Sequence, residues 1–218
     1  MFKIGEKQVL RINEQVSFGV YLAGDEPGQK VLLPRSQVPE YARIGDELEV
    51  FLYKDSEDRL IATRKEPFLT LGQVGYLTVA QESRIGAFLY WGLDKDLFLP
   101  FHEQPKEHVK EGETILVAVY LDKSDRLCST SNVYPYLHTD SPYKKGDRVT
   151  GVVYKNNRFG SFVAVDNIYS ALIPRKDITR MPMERDVVSA VVTGVKPDGK
   201  LDLALCDDNE EAVLESSV

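Results

Sequence analysis

The sequence predicts an all-β chain built from three tandem five-stranded barrels. Three observations carry that prediction: one set of motifs recurs three times, each copy divides into five short runs, and those runs are rich in β-branched and aromatic residues and punctuated by Gly, Pro, Asn and Asp. The first copy holds Ser17-Phe18-Gly19-Val20-Tyr21, then Leu32-Leu33-Pro34-Arg35, then Asp55 through Asp58-Arg59-Leu60-Ile61-Ala62-Thr63. The second holds Arg84-Ile85-Gly86-Ala87-Phe88, Phe98-Leu99-Pro100-Phe101, and Asp122 through Asp125-Arg126-Leu127-Cys128-Ser129-Thr130. The third holds Arg158-Phe159-Gly160-Ser161-Phe162, Leu172-Ile173-Pro174-Arg175, and Lys196 through Gly199-Lys200-Leu201-Asp202-Leu203. From second to third copy the glycines and the prolines are both displaced by 74 residues, against 67 and 66 from first to second, so the added length falls between the units, around Tyr134 to Tyr143. A linker is where such an insertion is tolerated.

The third copy shows the elements in order. Arg148 to Tyr154 alternates in polarity, a polar turn is expected at Asn156-Asn157, and Gly160 to Val165 forms the second strand. Ser170 to Pro174 is the third, Val187 to Val195 the fourth, and Leu201 to Leu205 the fifth, after a Pro197-Asp198-Gly199 turn. The polar stretch Lys176 to Asp186 lies between the third and fourth strands. Its counterpart Glu103 to Glu111 is expected to hold a helical turn that plugs one end of the barrel. The glycine of Phe-Gly-x-Phe marks a sharp bend or a bulge in the second strand. A regular strand puts Gly160 and Phe162 on one face, whereas a bulge near the glycine puts Phe159 and Phe162 together outside. The boundaries are 1–68, 69–143 and 144–206, with an acidic tail at 207–218.

Composition narrows the class. The chain has 218 residues, 43% hydrophobic and 28% charged, ordinary for a globular protein. No stretch approaches the roughly 20 apolar residues of a membrane span, and the start, Met1-Phe2-Lys3-Ile4-Gly5-Glu6, lacks a secretion signal. A cytoplasmic location is expected, with Cys128 and Cys206 as buried, reduced thiols. Catalysis needs a constellation, and His102, His108 and His138 are scattered. The sequence carries no zinc-protease, CxxC, nucleophile-elbow or phosphate-loop pattern, so neither enzymatic activity nor a cofactor or metal is expected.

The Phe-Gly-x-Phe-Val element, the hydrophobic-Pro-Arg segment and the late Asp-x-x-x-Arg/Lys-hydrophobic element resemble the S-one domain, an RNA-binding repeat of the ribosomal-protein type. The resemblance covers residues 8–67, 73–132 and 147–206 and implies oligonucleotide/oligosaccharide-binding (OB) barrels. Three such repeats resemble the bacterial conserved virulence factor B family of RNA-binding regulators. Family members usually carry a winged-helix domain after the repeats. The acidic residues Asp207 to Glu215 then read as the first helix of such a domain, as a disordered end, or as a mimic of RNA.

The resemblance implies a binding face made of the two aromatics flanking the bend, a third-strand residue, and the late acidic and basic pair. In the third copy these are Phe159, Phe162 and Lys200. In the first they are Phe18, Tyr21, Asp55 and Arg59. In the second, Ile85 replaces one aromatic and leaves Phe88, Asp122 and Arg126. The third-strand position, often His in the family, is Pro34, Pro100 and Pro174 here, and Lys196 stands where the third copy's acidic residue is expected. A core role is the competing reading for every one of these rings, and for Phe88 it is the favoured one. Trp91 is expected to pack or to seal an interface between repeats, and Glu107, Lys110, Glu111 and Glu113 to form a solvated face.

Net charge is −7, which argues against a general nucleic-acid binder. The acidity is uneven, however: residues 1–70 carry net −2, 71–143 net −4, 144–206 net +4 and 207–218 net −5. In the basic third copy, Lys155 and Arg158 precede the bend, Arg175 and Lys176 follow the third strand, and Lys200 opens the fifth. Aromatic rings among cations suit single-stranded RNA: rings stack on any base, and Lys and Arg neutralise phosphates. The leading expectation is an RNA-binding regulator acting mainly through the third repeat. The alternative is a protein-interaction scaffold whose acidic repeats dock a basic partner. DNA is a weaker third candidate.

Overall fold

The structure is a computed structural model that describes residues 1–105 and 108–206. It contains three closed five-stranded barrels. The first is built from β1 (Lys7–Val16), β2 (Gly19–Ala23), β3 (Lys30–Pro34), β4 (Glu47–Lys54) and β5 (Leu60–Thr63). The second uses β6 (Val74–Glu82), β7 (Gly86–Tyr90), β8 (Leu97–Pro100), β9 (Thr114–Leu121) and β10 (Leu127–Thr130). The third uses β11 (Arg148–Asn157), β12 (Gly160–Val165), β13 (Tyr169–Pro174), β14 (Val187–Val195) and β15 (Leu201–Leu205). Each closes in the order first, second, third, fifth, fourth strand, with the third and fifth parallel: Leu32 faces Ile61, Phe98 faces Cys128 and Ala171 faces Leu201. That order is the OB fold. Among the described residues no helix is long and apolar enough to cross a membrane.

Period-two burial builds each barrel. Along β14, Val188, Ala190 and Val192 point into the third core while Val187, Ser189 and Thr193 face out. The strand β4 serves two cores at once. Val50 and Leu52 fill the first barrel, and Phe51 and Tyr53, on the opposite face, join the cluster of the second. Trp91 meets Phe51 edge-on with ring centroids 5.9 Å apart, and its indole N–H donates to the Lys95 carbonyl at 2.6 Å. Trp91 therefore packs and seals the junction of the first two repeats, as expected. The chain divides into two compact units, Met1–Asn132 and Val133–Val218.

Several local readings need correction. The first strand of the third barrel continues through Asn156 and Asn157, and the turn is made by Arg158 and Phe159. The extra length comes from a register shift between Val153 and Lys155, where Tyr154 bulges. The helical turn of the second barrel forms at Phe101–Glu103, directly after the third strand, as Arg35–Gln37 and Arg175–Asp177 do in the other copies. After these turns, Val109 and Ile178 are buried in the cores of their barrels. Cys128 is buried, and burial pushes its thiol up to about 11, but Cys206 is only half-buried; both are free thiols. Glu107 and the 207–218 tail lie outside the described residues.

Candidate nucleic-acid interface

The site begins at the glycine of each bend. Gly160 has φ +138°, and a Cβ there would lie 2.0 Å from the Ile173 carbonyl oxygen. Gly19 and Gly86 meet the carbonyls of Leu33 and Leu99 at 2.2 and 2.3 Å in the same way. Only glycine allows the strands to approach so closely at that backbone angle. The kink leaves Phe159 in the turn, 56% exposed, and sends Ser161 and Val163 into the core while Phe162 stays half-buried outside. Of the two arrangements the sequence permits, the one with Phe159 and Phe162 together outside is the one formed.

Both rings line a groove of about 260 Å³ on the third barrel. Lys200, Lys196, Leu172 and Tyr134 share its walls. The Arg158 guanidinium lies 4.8 Å from the Phe159 centroid, a cation–π distance. Phe162 meets Tyr134 edge-on at 6.1 Å and Tyr154 at 6.2 Å. Burial pushes the Tyr154 hydroxyl well above the usual tyrosine range. Lys155 is the register partner of Phe162 across β11 and is exposed. Arg175 hangs on the turn itself, since its N–H donates to the Phe159 carbonyl at 2.9 Å, while its guanidinium donates to the Ile178 carbonyl at 3.0 Å. Lys176 follows it, exposed. The Lys200 ammonium donates to Asp198 at 2.8 Å and lies 5.5 Å from the Tyr134 ring centre. Hydrogen bonds to Asp198 and Tyr134 push it up to about 12, so it stays cationic at neutral pH.

The other two faces keep the geometry, and their cations are paired with carboxylates as Lys200 is. In the first barrel Phe18, 55% exposed, meets Tyr21 edge-on at 6.3 Å. Lys30 lies 4.2 Å from the Tyr21 ring centre, yet its ammonium also pairs with Glu14 at 3.0 Å. Arg59 is held by Asp55 and Glu57, both at 2.8 Å. In the second barrel Ile85 stands exposed at the position of Phe18, and Phe88 packs 5.2 Å from Phe98. Phe88 is not core: it lines a cleft of about 860 Å³, into which the first barrel's β4–β5 turn brings Ser56 and Asp58. Arg126 there is paired with Asp122 at 2.9 Å and lies 3.9 Å from Asp58.

The third-strand position also moves. Pro34, Pro100 and Pro174 lie across from the bend glycines, and the residues opposite the second aromatics are Leu32, Phe98 and Leu172. Phe98 was legible as the partner of Phe88, because it lies two residues before Pro100 on the same strand face. Tyr134 and Tyr154 carried no such signal in the repeat alignment, since one lies in the linker and the other on a bulge.

Comparison with known proteins agrees with this architecture. The S1 domain family model matches residues 4–65 and 71–132, and the S1 RNA binding domain model matches 143–204. The protein YitL of Bacillus subtilis (strain 168) is 30% identical over 217 residues, covering 96% of this chain and 72% of that protein. Conserved virulence factor B of Staphylococcus epidermidis is 25% identical over 193 residues, and this chain spans 64% of its length. A crystal structure of a multidomain protein with nucleic acid binding domains from Streptococcus pneumoniae shares the fold, with a TM-score of 0.55 over 98% of this chain and 80% of that one, at 20% identity. Matched over most of its length, and in all three of its barrels, the chain belongs to the S1 domain family and is a homologue of YitL and of conserved virulence factor B.

Proposed function

We propose that the protein is a non-catalytic, cytoplasmic regulator that binds single-stranded RNA, chiefly through the third barrel. The observation that carries this reading is the groove lined by Phe159, Phe162 and Lys200, with Arg158 against Phe159 and Lys155 across from Phe162; Arg175 and Lys176 follow the third strand. Unpaired bases offer π-faces to the rings and phosphates to the cations, and a duplex hides the first. The first two faces contribute less: Lys30, Arg59 and Arg126 pair with carboxylates there, and although Lys200 and Lys196 of the third barrel pair with Asp198 and Asp202, that face adds Arg158 against Phe159 and Lys155 across from Phe162.

Two stacked bases supply roughly 4 kcal/mol, near millimolar affinity alone, so phosphate contacts and neighbouring repeats must add to it. The test is fluorescence anisotropy with a labelled, unstructured RNA, and single-stranded DNA and duplex RNA as comparators. Phe159→Ala combined with Phe162→Ala weakens RNA binding more than about tenfold. Lys155→Ala lowers the slope of log affinity against log salt by about 0.7. An unchanged affinity in the folded double variant, or a preference for duplex, refutes the reading.

A further inference from the structure

The third barrel carries a piece that the repeat itself lacks. Residues 133–142 lie outside the family match, which resumes at 143. They nevertheless fold against the barrel as a strap. Val133 and Leu137 are buried, and Tyr134–Tyr136 forms a single 3-10 turn. The His138 N–H donates to the Ile168 carbonyl at 2.7 Å, and the Ser170 N–H donates back to the His138 carbonyl at 2.8 Å, which makes a short parallel bridge beside β13. Thr139 then passes over the β14–β15 turn, where a Cβ on Gly199 would fall 1.9 Å from its carbonyl oxygen.

That glycine is informative. The equivalent turn positions of the first two barrels are Asp58 and Asp125, at φ +59° and +55°. Aspartate tolerates this backbone angle. The third copy uses glycine at φ +87°, with the strap lying where a side chain would be. The third barrel is thus fitted to its linker, and the linker's first turn delivers the Tyr134 ring to the groove. Tyr134 is 41% exposed, stands edge-on to Phe162 at 6.1 Å, and has the Lys200 ammonium 5.5 Å from its centre. The turn that carries it is anchored by the buried Val133 and Leu137, so little backbone freedom is lost when a base settles on the ring.

We propose that Tyr134 is a third stacking ring of this groove, so that the third barrel's binding unit begins at the strap and holds one more unpaired base than Phe159 and Phe162 hold alone. This rests on the RNA-binding reading above.

The experiment uses the full chain and fluorescein-labelled oligouridylates of about 4 to 16 nucleotides, the span of site sizes for such barrels. Wild type, Tyr134→Ala, Tyr134→Phe and the Phe159→Ala/Phe162→Ala variant are titrated in parallel. Tyr134→Ala is expected to weaken binding at least about fivefold and to shorten by one nucleotide the length at which affinity stops rising. Tyr134→Phe, which keeps the ring, stays within about twofold of wild type. An unchanged or tighter Tyr134→Ala overturns the proposal, the latter because the ring would then be blocking the groove. A Tyr134→Phe as weak as Tyr134→Ala also overturns it, since the hydroxyl's contact with Lys200 would be the active part. If the double phenylalanine variant binds as wild type does, the RNA-binding reading of this face fails. If that variant loses affinity and Tyr134→Ala does not, only the third ring fails.

Discussion

At the scale of single residues, the late aspartates decide where charge is available. Asp55 accepts the N–H groups of Glu57 and Arg59 at 2.9 and 3.0 Å on one oxygen, and the Arg59 side chain at 2.9 Å on the other. Asp122 repeats this with Ser124 and Arg126 at 2.7, 3.0 and 2.9 Å. Both aspartates are thus turn staples before they are anything else, and they hold the arginines beside them. Partial burial pushes each carboxyl up, but the hydrogen bonds outweigh it and keep both below the ordinary 3.8. A carboxylate whose folded value is depressed contributes stability above the unfolded value, and that contribution is lost as pH falls through the folded one. Asp55→Asn with Asp122→Asn is expected to lower stability by about 1 kcal/mol per turn at pH 7. It should also flatten the fall in stability seen below pH about 4. Urea unfolding of both proteins across acid pH measures this, and parallel curves would refute it. In the third copy Lys196 stands in place of the aspartate and pairs with Asp202 at 3.2 Å, and Asp198 staples the turn instead, accepting the Lys200 N–H at 3.2 Å and its ammonium at 2.8 Å.

At the scale of elements, the bend between first and second strands converts a sequence repeat into a binding face. Gly160 combines a left-handed φ with a carbonyl where its Cβ would sit, so Gly160→Ala is expected to cost about 3 kcal/mol or more and to misplace Phe159. Chemical denaturation checks the first expectation, and a variant within about 0.5 kcal/mol of wild type would contradict it. Because the motif around this glycine recurs, the sequence alone located all three bends, and β12, β14 and β15 match the predicted spans residue for residue. Less was legible where geometry departs from period two. The bulge at Tyr154 lengthens β11 past Asn156 and Asn157, two residues that read locally as a turn. A core role is the favoured sequence reading for Phe88, yet the strand's alternation puts Ala87 and Leu89 inside and leaves Phe88 facing the cleft. Tyr134 was hidden for another reason: a linker's docking is a long-range contact with no local pattern. Its trace in the sequence is the single change from Asp58 and Asp125 to Gly199.

At the scale of the molecule, three similar barrels give two compact units because one strand faces two cores. Phe51 and Tyr53 of β4 leave the first barrel's interior for the cluster around Trp91, which is 2% exposed. The Lys95 ammonium then donates to the carbonyls of Lys54 and Asp55 at 3.2 and 2.7 Å, and Lys54 donates to the Ser124 carbonyl at 2.5 Å. A lone barrel of about 60 residues is marginally stable, and this shared apolar seam makes the first two fold as one. The third barrel has its own core, with Val149, Val163, Ile173 and Leu201 at its centre, and carries its own strap. Calorimetry of the full chain should therefore show two transitions, one for residues 1–132 and one for residues 133–206. Trp91→Ala removes the ring that bridges β4 and β7, at a cost of about 3–5 kcal/mol. It should lower the first transition by about 10 °C and leave the second in place. RNA affinity should hardly change, since the groove of Phe159 and Phe162 lies in the other unit. Transitions that shift together, or a loss of affinity as large as that of the phenylalanine variant, would show that the seam reaches further than the packing around Trp91.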